Sequence, residues 1–407
     1  MAKRTGGFIG QDGLNAPDPA TNVSGEGGNT QIVVSFSSPS DVGGAAITEY
    51  RVTDGTGVHT ASTASSPVTM TGLTNGTNYT FNVWAINPFG WATASDPSSA
   101  VSPLSPTRGL YGGGGFNSGN VIGYFQINSG GENASDFGDL NCSDSGFYNF
   151  SCSSSTRGIF GGGGNGGSST FDRMDYVTIA TTGNATDFGQ FSNISNNAGT
   201  GRGAYFSAAC SNSTRGVIAR AKVNANANEV NNITYITIAS TGSDTDFGDF
   251  PGGANYAAAC SSTTRGVFIY NGQSGSTNVY QYVTIASTGN STNFGNSVAT
   301  TSGGPAGASS STRGLFCTGG NTNIDYITIA SAGNATDFGN LTTASQGMAF
   351  VSDSITAVRC GGYDGSGFTN TMDSVTIATT GNAVDFGDIT QTTYGFSGCS
   401  DSHGGLS

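Results

Sequence analysis

A unit copied six times along most of the chain is the feature that most constrains its fold. Five of the six units open with Thr-Arg-Gly, and all six close with Asp-Phe-Gly or Asn-Phe-Gly. A Tyr-Val-Thr-Ile-Ala-like segment lies between these elements in most copies. The opening elements are Thr107-Arg108-Gly109, Thr156-Arg157-Gly158, Thr214-Arg215-Gly216, Thr264-Arg265-Gly266, Thr312-Arg313-Gly314 and a degraded copy, Val358-Arg359-Cys360. A period of about 50 residues indicates one supersecondary unit that stacks on its own copies.

The composition favours short strands over helices within each unit. Glycine accounts for 66 of 407 residues and supplies corners with positive φ, while the abundant threonine suits half-buried strands. No stretch shows a sustained apolar period of 3.6 residues. A unit with three or four strands and a glycine-rich turn resembles a blade of a β-propeller, and glycines 112–115 and 161–164 resemble the double glycine of kelch repeats.

The C-terminal segment predicts how the repeats close. Residues 396–402 resemble residues 150–155, the strand that precedes a Thr-Arg-Gly element. The chain thus ends with the strand that the first unit lacks, and pairing it there would remove an open sheet edge. We therefore expect an all-β chain in which residues 105–407 form a six-bladed kelch-like β-propeller closed by a C-terminal strand.

The arginine and aspartate that recur in the units favour a structural role over a catalytic one. An ion pair between them, or arginine bonds to backbone carbonyls, would tie adjacent blades. Asn293 replaces the carboxylate in one copy, which a hydrogen-bonding role tolerates better than a charge-dependent one. These blade-tying candidates are Arg108, Arg157, Arg215, Arg265, Arg313 and Arg359, with Asp136, Asp187, Asp246, Asp337 and Asp385.

Residues 16–104 have a different pattern from the repeats. Alternation at period two in residues 31–36, 47–52 and 79–85 predicts strands that each bury one face. Phe36, Leu73 and Tyr79, with the intervening glycine and proline positions, resemble a fibronectin type III domain. The resemblance implies a β-sandwich in which the Tyr79 phenol bonds back to the preceding chain as a tyrosine corner.

The cysteines and histidines predict no metal or cofactor site. Seven cysteines without a C-x-x-C motif, and only two histidines, make a zinc site a poor interpretation. Cys152, Cys210 and Cys260 each lie five residues before a repeated arginine. We therefore interpret them as small buried hydrophobic residues in equivalent places, and not as disulfide partners.

Charge and motif content exclude several function classes. A formal charge of −13 with only 13 basic residues argues against nucleic acid and anionic membrane surfaces as partners. No apolar run is long enough for a membrane-spanning helix. No nucleophile, acid–base pair or metal constellation stands out, so we expect no enzyme activity; a propeller glycosidase with two carboxylates on its axis stays open as an alternative.

Loops that break the uniformity of the repeats favour a binding role. The insertion around residues 219–224 contributes Arg220 and Lys222, and four tyrosines precede the first strands of their units. Rings at one mouth of the channel would suit sugar stacking, although half-buried core tyrosines are the alternative. The candidate ligand surface is therefore Tyr148, Tyr205, Tyr256, Tyr394, Arg220 and Lys222.

The whole chain resembles virion structural proteins of cyanophages and related marine bacteriophages. The resemblance rests on the opening residues 5–17, the fibronectin-like segment and the long consensus Asp-Tyr-Val-Thr-Ile-Ala-Ser-Thr-Gly-Asn-Ala-Thr-Asp-Phe-Gly. It implies a virion protein with other virion proteins as partners. Residues 1–4 carry charge but lead into glycine and polar residues, so we expect no secretory signal and assembly in the host cytoplasm.

Two structural roles follow from this resemblance, and both stay open. One is a tail or tail-fibre component whose propeller contacts a host-surface glycan or protein, and the other is a decorating or cement protein on the head. A homo-oligomer fits either role. In both, the glycine-rich residues 1–15 are expected to order only on docking to the particle, through Phe8, Ile9 and Leu14.

Overall fold

The computed structural model describes residues 14–115, 119–141, 147–164, 170–196, 199–201, 203–222, 229–272, 278–301 and 303–406. Side chains are not described for 147–148, 194–196, 199–201 and 272. The described residues are all-β, with one short 3-10 helix at Ile127–Ser129. Contacts divide the chain into two compact units, Met1–Pro106 and Thr107–Ser407. None of the helical structure described is long and apolar enough to cross a membrane.

The first unit consists of two antiparallel sheets with orders β1-β2-β5 and β4-β3-β6-β7. Its strands are β1 (Thr21–Gly28), β2 (Gln31–Ser37), β3 (Glu49–Asp54), β4 (Thr60–Thr63), β5 (Val68–Thr71), β6 (Phe81–Asn87) and β7 (Gly90–Trp91). Alternate residues of β2, β3 and β6 are buried, as the period-two pattern predicts, and they form one core with Phe36 and Leu73. The Tyr79 hydroxyl accepts a hydrogen bond from Thr74 N at 3.0 Å, which confirms the predicted tyrosine corner.

The second unit contains six four-stranded antiparallel sheets, which we number repeat sheets 1 to 6. Repeat sheet 1 contains β8 (Arg108–Gly113), β9 (Val121–Gln126) and β10 (Ser135–Asp139). Repeat sheet 2 contains β11 (Phe147–Ser153), β12 (Arg157–Gly164), β13 (Arg173–Thr178) and β14 (Thr186–Gln190). A hairpin of β15 (Ile194–Asn196) and β16 (Gly199–Gly201) follows, and repeat sheet 3 contains β17 (Ala208–Ser211), β18 (Arg215–Ala219), β19 (Asn232–Thr237) and β20 (Thr245–Asp249).

The remaining repeat sheets continue in the same order. They contain β21 (Ala254–Ser261), β22 (Arg265–Gly272), β23 (Val279–Thr284), β24 (Thr292–Asn296); β25 (Ala306–Ser309), β26 (Arg313–Cys317), β27 (Asn321–Thr328), β28 (Thr336–Ser345); and β29 (Ala349–Ser352), β30 (Thr356–Tyr363), β31 (Phe368–Thr376), β32 (Val384–Asp388). The last strand, β33 (Phe396–Ser400), pairs antiparallel with β8 and completes repeat sheet 1. The first and last parts of this unit therefore share one sheet.

We call β33 the first strand of repeat sheet 1, because it occupies the place that β11, β17, β21, β25 and β29 have in the other five sheets. The six first strands are joined in a closed cycle of serine hydrogen bonds. Each serine hydroxyl donates to the backbone carbonyl of the serine in the preceding sheet, at 2.6–2.9 Å. The order is Ser211 to Ser153, Ser261 to Ser211, Ser309 to Ser261, Ser352 to Ser309, Ser400 to Ser352, and Ser153 back to Ser400. These strands thus surround a central channel, and each buried hydroxyl has an acceptor in the neighbouring sheet.

The closing triplet of each repeat packs the sheets against one another. Its phenylalanine is buried in all six repeats, for example Phe188 and Phe338 at 2% exposed. Its glycine has φ between +145° and +153°, and a Cβ there would meet the backbone of the next sheet. At Gly189, for instance, a Cβ would lie 2.4 Å from the Gly242 carbonyl oxygen. Close sheet contact therefore requires glycine at this place.

Strand register corrects the sequence alignment of the sixth repeat. Arg265 pairs with Thr284 and Arg313 with Thr328, but the residue that pairs in this way with Thr376 is Thr356. Arg359 lies three residues further along β30 and pairs with Asp373. The alignment of Val358-Arg359-Cys360 with Thr-Arg-Gly was therefore wrong. It matched Arg359 to the repeated arginines, whereas strand pairing places Thr356 at their position.

Candidate functional site

The five arginines that occupy the true repeat position tie each sheet to the next through backbone carbonyls. Each Nη1 donates to an isoleucine carbonyl of the following sheet at 2.8–2.9 Å, and each guanidinium lies 4.2–4.6 Å from the centroid of a tyrosine ring in its own sheet. The pairs with carbonyls are Arg108 with Ile179, Arg157 with Ile238, Arg215 with Ile285, Arg265 with Ile329 and Arg313 with Ile377. Of the two blade-tying arrangements that the sequence left open, the structure has the carbonyl one.

The repeated aspartates do not take part in these ties. Asp136, Asp187, Asp246, Asp337 and Asp385 are exposed, and within the described residues none forms an ion pair with a repeated arginine. The expectation of an arginine–aspartate pair was therefore wrong for these residues. In the triplet strands, this position lies on the solvent side and the adjacent phenylalanine on the buried side.

Arg359 has a different role from the other repeat arginines. Its guanidinium is fully buried and paired with the Asp373 carboxylate, and it also donates to the carbonyls of Gly361 at 3.0 Å and Thr371 at 3.2 Å. Both partners of this ion pair lie in repeat sheet 6. Arg359 therefore stabilises the interior of one sheet and does not tie two sheets together.

Buried acceptors at the sheet junctions form a second set of ties that the sequence analysis missed. The donor in each case is a backbone N–H of the preceding repeat. It belongs to the residue five positions after the first residue of that repeat's closing triplet, for example Asn141 after Asp136. The pairs are Asn141 N to Asp175 at 3.0 Å, Ser192 N to Asp244 at 2.5 Å, Val298 N to Asp325 at 2.8 Å, Thr342 N to Asp373 at 3.2 Å and Thr390 N to the Tyr111 hydroxyl at 3.0 Å.

The remaining junction explains why the acceptor changes. Pro251 stands at the donor position there and has no N–H. The residue of β23 that corresponds in strand register to Asp175 is the buried Gln281, whose Oε1 accepts a hydrogen bond from Ser291 Oγ at 3.3 Å. Burial raises the pKa of Asp175 and of Asp325. Carboxylates that could have been taken for general acids therefore belong to the junctions between sheets.

The two ends of the repeat sheets differ in uniformity. At one end, which we call the constant face, the turns between first and second strands have three residues and the linkers between third and fourth strands have seven in repeats 2 to 6. These turns are 154–156, 212–214, 262–264, 310–312 and 353–355. At the opposite end, which we call the variable face, the second strands end and the third strands begin. The sequence between them is 8, 12, 6, 3 and 4 residues long in repeats 2 to 6, and residues 165–169, 223–228 and 273–277 of it lie outside the described residues. Sequence differences between repeats therefore concentrate at one face.

The C-terminal residues close the channel at the constant face. Gly404 N donates to the Ser309 carbonyl at 3.0 Å, and the His403 ring nitrogen Nε2 lies 3.2 Å from Ser211 Oγ and 3.3 Å from the Ser153 carbonyl. Burial lowers the pKa of His403 to about 4, so the imidazole is neutral at neutral pH. A Cβ on Gly405 would lie 1.8 Å from the Ser211 carbonyl oxygen, which shows how tightly the tail fits.

Three of the predicted tyrosines meet at the variable face, and we call Tyr205, Tyr256 and Tyr394 the tyrosine mouth. Tyr205 and Tyr394 precede the first strands of repeat sheets 3 and 1, as predicted, whereas Tyr256 lies within β21, the first strand of repeat sheet 4. All three are half-buried. Burial raises the pKa of Tyr205 to about 12, and the neighbouring phenols of Tyr256 and Tyr394 add to this shift. The fourth tyrosine, Tyr148, has a side chain outside the described residues.

Other aromatic residues pack around the tyrosine mouth. The Phe206 ring centroid lies 3.9 Å from that of Tyr205 and 4.0 Å from that of Tyr256, and Phe368 stacks on Tyr394 at 4.7 Å with an interplanar angle of 8°. Phe206 and Tyr256 adopt φ of +57° and +45° at the place where repeats 5, 6 and 1 have glycine. Holding bulky residues in this conformation costs about 1–3 kcal/mol each.

The two basic candidates of the ligand surface have different environments. Arg220 is fully buried, pairs with Asp244 at 3.3 Å and donates to the Gly203 carbonyl at 3.0 Å. Its assignment to the ligand surface was therefore wrong, because the side chain points into the interior of repeat sheet 3. Lys222 is half-buried, and its Nζ lies 5.6 Å from the Phe206 centroid, beside the tyrosine mouth.

The remaining predictions concern cysteines, metals and the N-terminus. Cys152, Cys210 and Cys260 are free and buried, as predicted, and so are Cys317, Cys360 and Cys399, while Cys142 lies outside the described residues. No group of three or more histidine, cysteine or acidic side chains is placed to hold a metal in the described part of the chain. Of the docking residues, Phe8 and Ile9 lie outside the described residues, and Leu14 is 38% exposed.

Comparison with known proteins identifies the first unit. Residues 16–101 match the family model of the fibronectin type III domain, so the protein is an all-β chain with an N-terminal fibronectin type III domain. It is similar to a crystal structure of titin domains, with 26% identity and a TM-score of 0.21, over 22% of this chain and 33% of that chain. It is also similar to titin kinase with its flanking domains, with 19% identity and a TM-score of 0.21, over 28% of each chain.

The chain thus spans about a third or less of the length of these solved structures. No curated protein matches it.

Proposed function

We propose that the six repeat sheets form a six-bladed kelch-like β-propeller closed by its C-terminal strand, and that the chain is a non-enzymatic structural and adhesive protein of a marine bacteriophage particle. The cycle of serine hydrogen bonds and the pairing of β33 with β8 support the propeller. The resemblance of the repeat consensus and of residues 5–17 to cyanophage virion proteins supports the particle assignment.

The proposed adhesive function is supported mainly by the difference between the constant face and the variable face. Repeated polar groups, such as Arg265 and Asp325, are engaged in ties between sheets. Loops of unequal length and the tyrosine mouth gather at the other end, where stacking of the sheets does not require them. A rigid scaffold that presents variable loops at one face is typical of recognition proteins.

Buried carboxylates support the non-enzymatic assignment. A propeller glycosidase would need two carboxylates facing a substrate across the channel. Asp175, Asp325 and Asp373 instead accept backbone N–H groups at the sheet junctions. These carboxylates therefore have a structural role in the proposed propeller.

Because an adhesive face must reach the host, we propose that the chain belongs to the tail or tail fibre. The variable face would point towards the host, and residues 1–15 would dock on the particle.

Quantitative mass spectrometry of purified particles tests this location against the major capsid protein. Far fewer copies than the capsid protein are expected for a tail component, whereas a copy number close to that of the capsid protein would assign the chain to head decoration. Absence from the particle would overturn the virion assignment. A second comparison uses a chain lacking residues 1–15, which should fold and yet be missing from particles; normal incorporation would refute the docking role.

A further inference from the structure

The C-terminal residues close one end of the channel, at the constant face. His403 and Gly404 bridge the first strands of repeat sheets 2, 3 and 5 at the constant face. The wall nearest the variable face is lined mainly by small residues, including Ser207, Ala257 and Gly307. A ligand group therefore enters past the tyrosine mouth and reaches a short, narrow, neutral wall.

This wall holds polar atoms that have no hydrogen-bond partner among the described residues. Asn149 is 6% exposed, and its Nδ2 donates to the Gly112 carbonyl at 3.0 Å, while its Oδ1 is buried without a hydrogen bond. The hydroxyl of Ser397, in the neighbouring first strand, is also buried and unpartnered. Both residues line the channel. A buried acceptor without a donor costs about 1–3 kcal/mol, which a hydroxyl group of a ligand would recover.

The tyrosine mouth supplies aromatic surface and neutral phenols directly above this wall. Repeat sheet 1, which carries Tyr394, and repeat sheet 4, which carries Tyr256, lie three places apart in the cycle of six, so the phenols approach from opposite sides. The Phe206 ring lies between Tyr205 and Tyr256, with its centroid 3.9 Å from the first ring and 4.0 Å from the second. Burial raises the pKa of Tyr205 and of Tyr256. A phenol hydroxyl is both a hydrogen-bond donor and an acceptor.

This combination matches the chemistry of a sugar ring. Aromatic rings stack on its C–H faces, while neutral donors and acceptors match its hydroxyls. A carboxylate would instead meet the Asn149 Oδ1 acceptor in the wall. Resting on the proposed adhesive function, we propose that the tyrosine mouth binds the neutral terminal sugar of a glycan, with one hydroxyl-bearing edge inserted towards Asn149 and Ser397.

Saturation-transfer difference NMR on the full chain tests this proposal. The probes are the methyl glycosides of glucose, galactose, mannose and N-acetylglucosamine, with N-acetylneuraminic acid as the charged probe. At least one neutral glycoside should bind. The triple variant Tyr205→Phe, Tyr256→Phe, Tyr394→Phe keeps the rings and removes the hydroxyls, and it should bind about tenfold more weakly or worse.

The matched control is Tyr282→Phe, which removes a phenol hydroxyl from the ring beneath Arg265 and should leave binding unchanged. A second measurement uses the wild-type chain with labelled tyrosine rings, so that it does not depend on the variant's folding. Bound sugar should shift the resonances of the three mouth tyrosines and not that of Tyr282. Binding of the charged sugar alone, no neutral binding, or undiminished binding by the triple variant would overturn the proposal.

Failure here is separable from failure of the proposed function. A chain found in particles at tail-like copy number that binds no neutral glycoside would overturn the sugar site and leave the virion role intact. A chain that binds a neutral glycoside but is absent from particles would overturn the virion role and leave the sugar site intact.

Discussion

The thiol of Cys260 fills the space that a side chain on Gly314 would need: its Sγ lies 2.5 Å from the position of a Cβ on that glycine. The same relation joins a cysteine in one first strand to the glycine of the next Thr-Arg-Gly element in three further junctions: Cys152 with Gly216, Cys210 with Gly266, and Cys399 with Gly158. In the sixth repeat, Ala357 stands at the glycine position and Ala308 at the preceding cysteine position. Loss of the thiol is thus matched by gain of a methyl group, as close packing requires.

Gly314→Ala should destabilise the second unit by about 1–3 kcal/mol, because the added methyl overpacks the junction against Cys260. The same substitution in a Cys260→Ala background should cost much less, since that pair reproduces Ala308 with Ala357. Urea unfolding of the four proteins in the double-mutant cycle measures the coupling. Equal costs in both backgrounds would show that the thiol does not set the glycine requirement.

Arg265→Ala should lower the free energy of unfolding by about 1.5–3 kcal/mol, because it removes a charged hydrogen-bond donor to a neighbouring sheet. The lost contacts are the bonds to the carbonyls of Ile329 at 2.9 Å and Ala330 at 2.8 Å, and the stacking on Tyr282. Arg173→Ala, which removes a single exposed bond to the Asn141 carbonyl at 3.2 Å, is the comparison and should cost less than about 0.5 kcal/mol. Equal effects of the two variants in denaturant titrations would contradict the tie between sheets.

Asp373→Asn should cost about 3–5 kcal/mol, because it leaves the Arg359 guanidinium buried without its counter-charge. Asp385→Asn, at an exposed carboxylate in the same repeat sheet, should stay within about 0.5 kcal/mol of the wild type. Thermal and urea unfolding compare the two variants. A small effect at Asp373 would mean that water reaches the pair in solution.

Neutral His403 should make the second unit lose stability in acid. Its pKa in the folded chain, about 4, lies below the ordinary value of 6.5, so the unfolded chain takes up the proton more readily. The contribution is present above about pH 6.5 and is lost as the pH falls towards 4; it is on the order of 3 kcal/mol. Burial raises the pKa of Asp401 and Asp175, which act in the opposite direction.

Comparison with His403→Gln isolates the histidine, because the carboxylates are common to both proteins. The difference in unfolding free energy between wild type and variant should shift in favour of the variant as the pH is lowered through this range. A difference that stays constant with pH would show that the imidazole titrates in the folded state as it does in the unfolded chain.

Local patterns in the sequence determined the strands, the repeated units and the fibronectin type III domain. Alternation in residues 31–36 predicts β2 because strand burial depends on neighbours two positions apart. Phe36, Leu73 and Tyr79 identified the sandwich for the same reason, since each has a recognisable local context. The cysteines were predicted as buried because their repeat position alone showed equivalent surroundings.

Tertiary structure alone decided which partner each repeated polar group contacts. Arg157 and the Ile238 carbonyl are 81 residues apart, and nothing in the sequence separates that carbonyl from the nearer Asp187 carboxylate as a partner. Register placed Thr356, and not Arg359, at the sixth repeat position, and closure of the strands brought His403 beneath the serine cycle. Periodicity encodes the element a residue belongs to, whereas contacts between sheets depend on how the elements pack, which no single window of sequence contains.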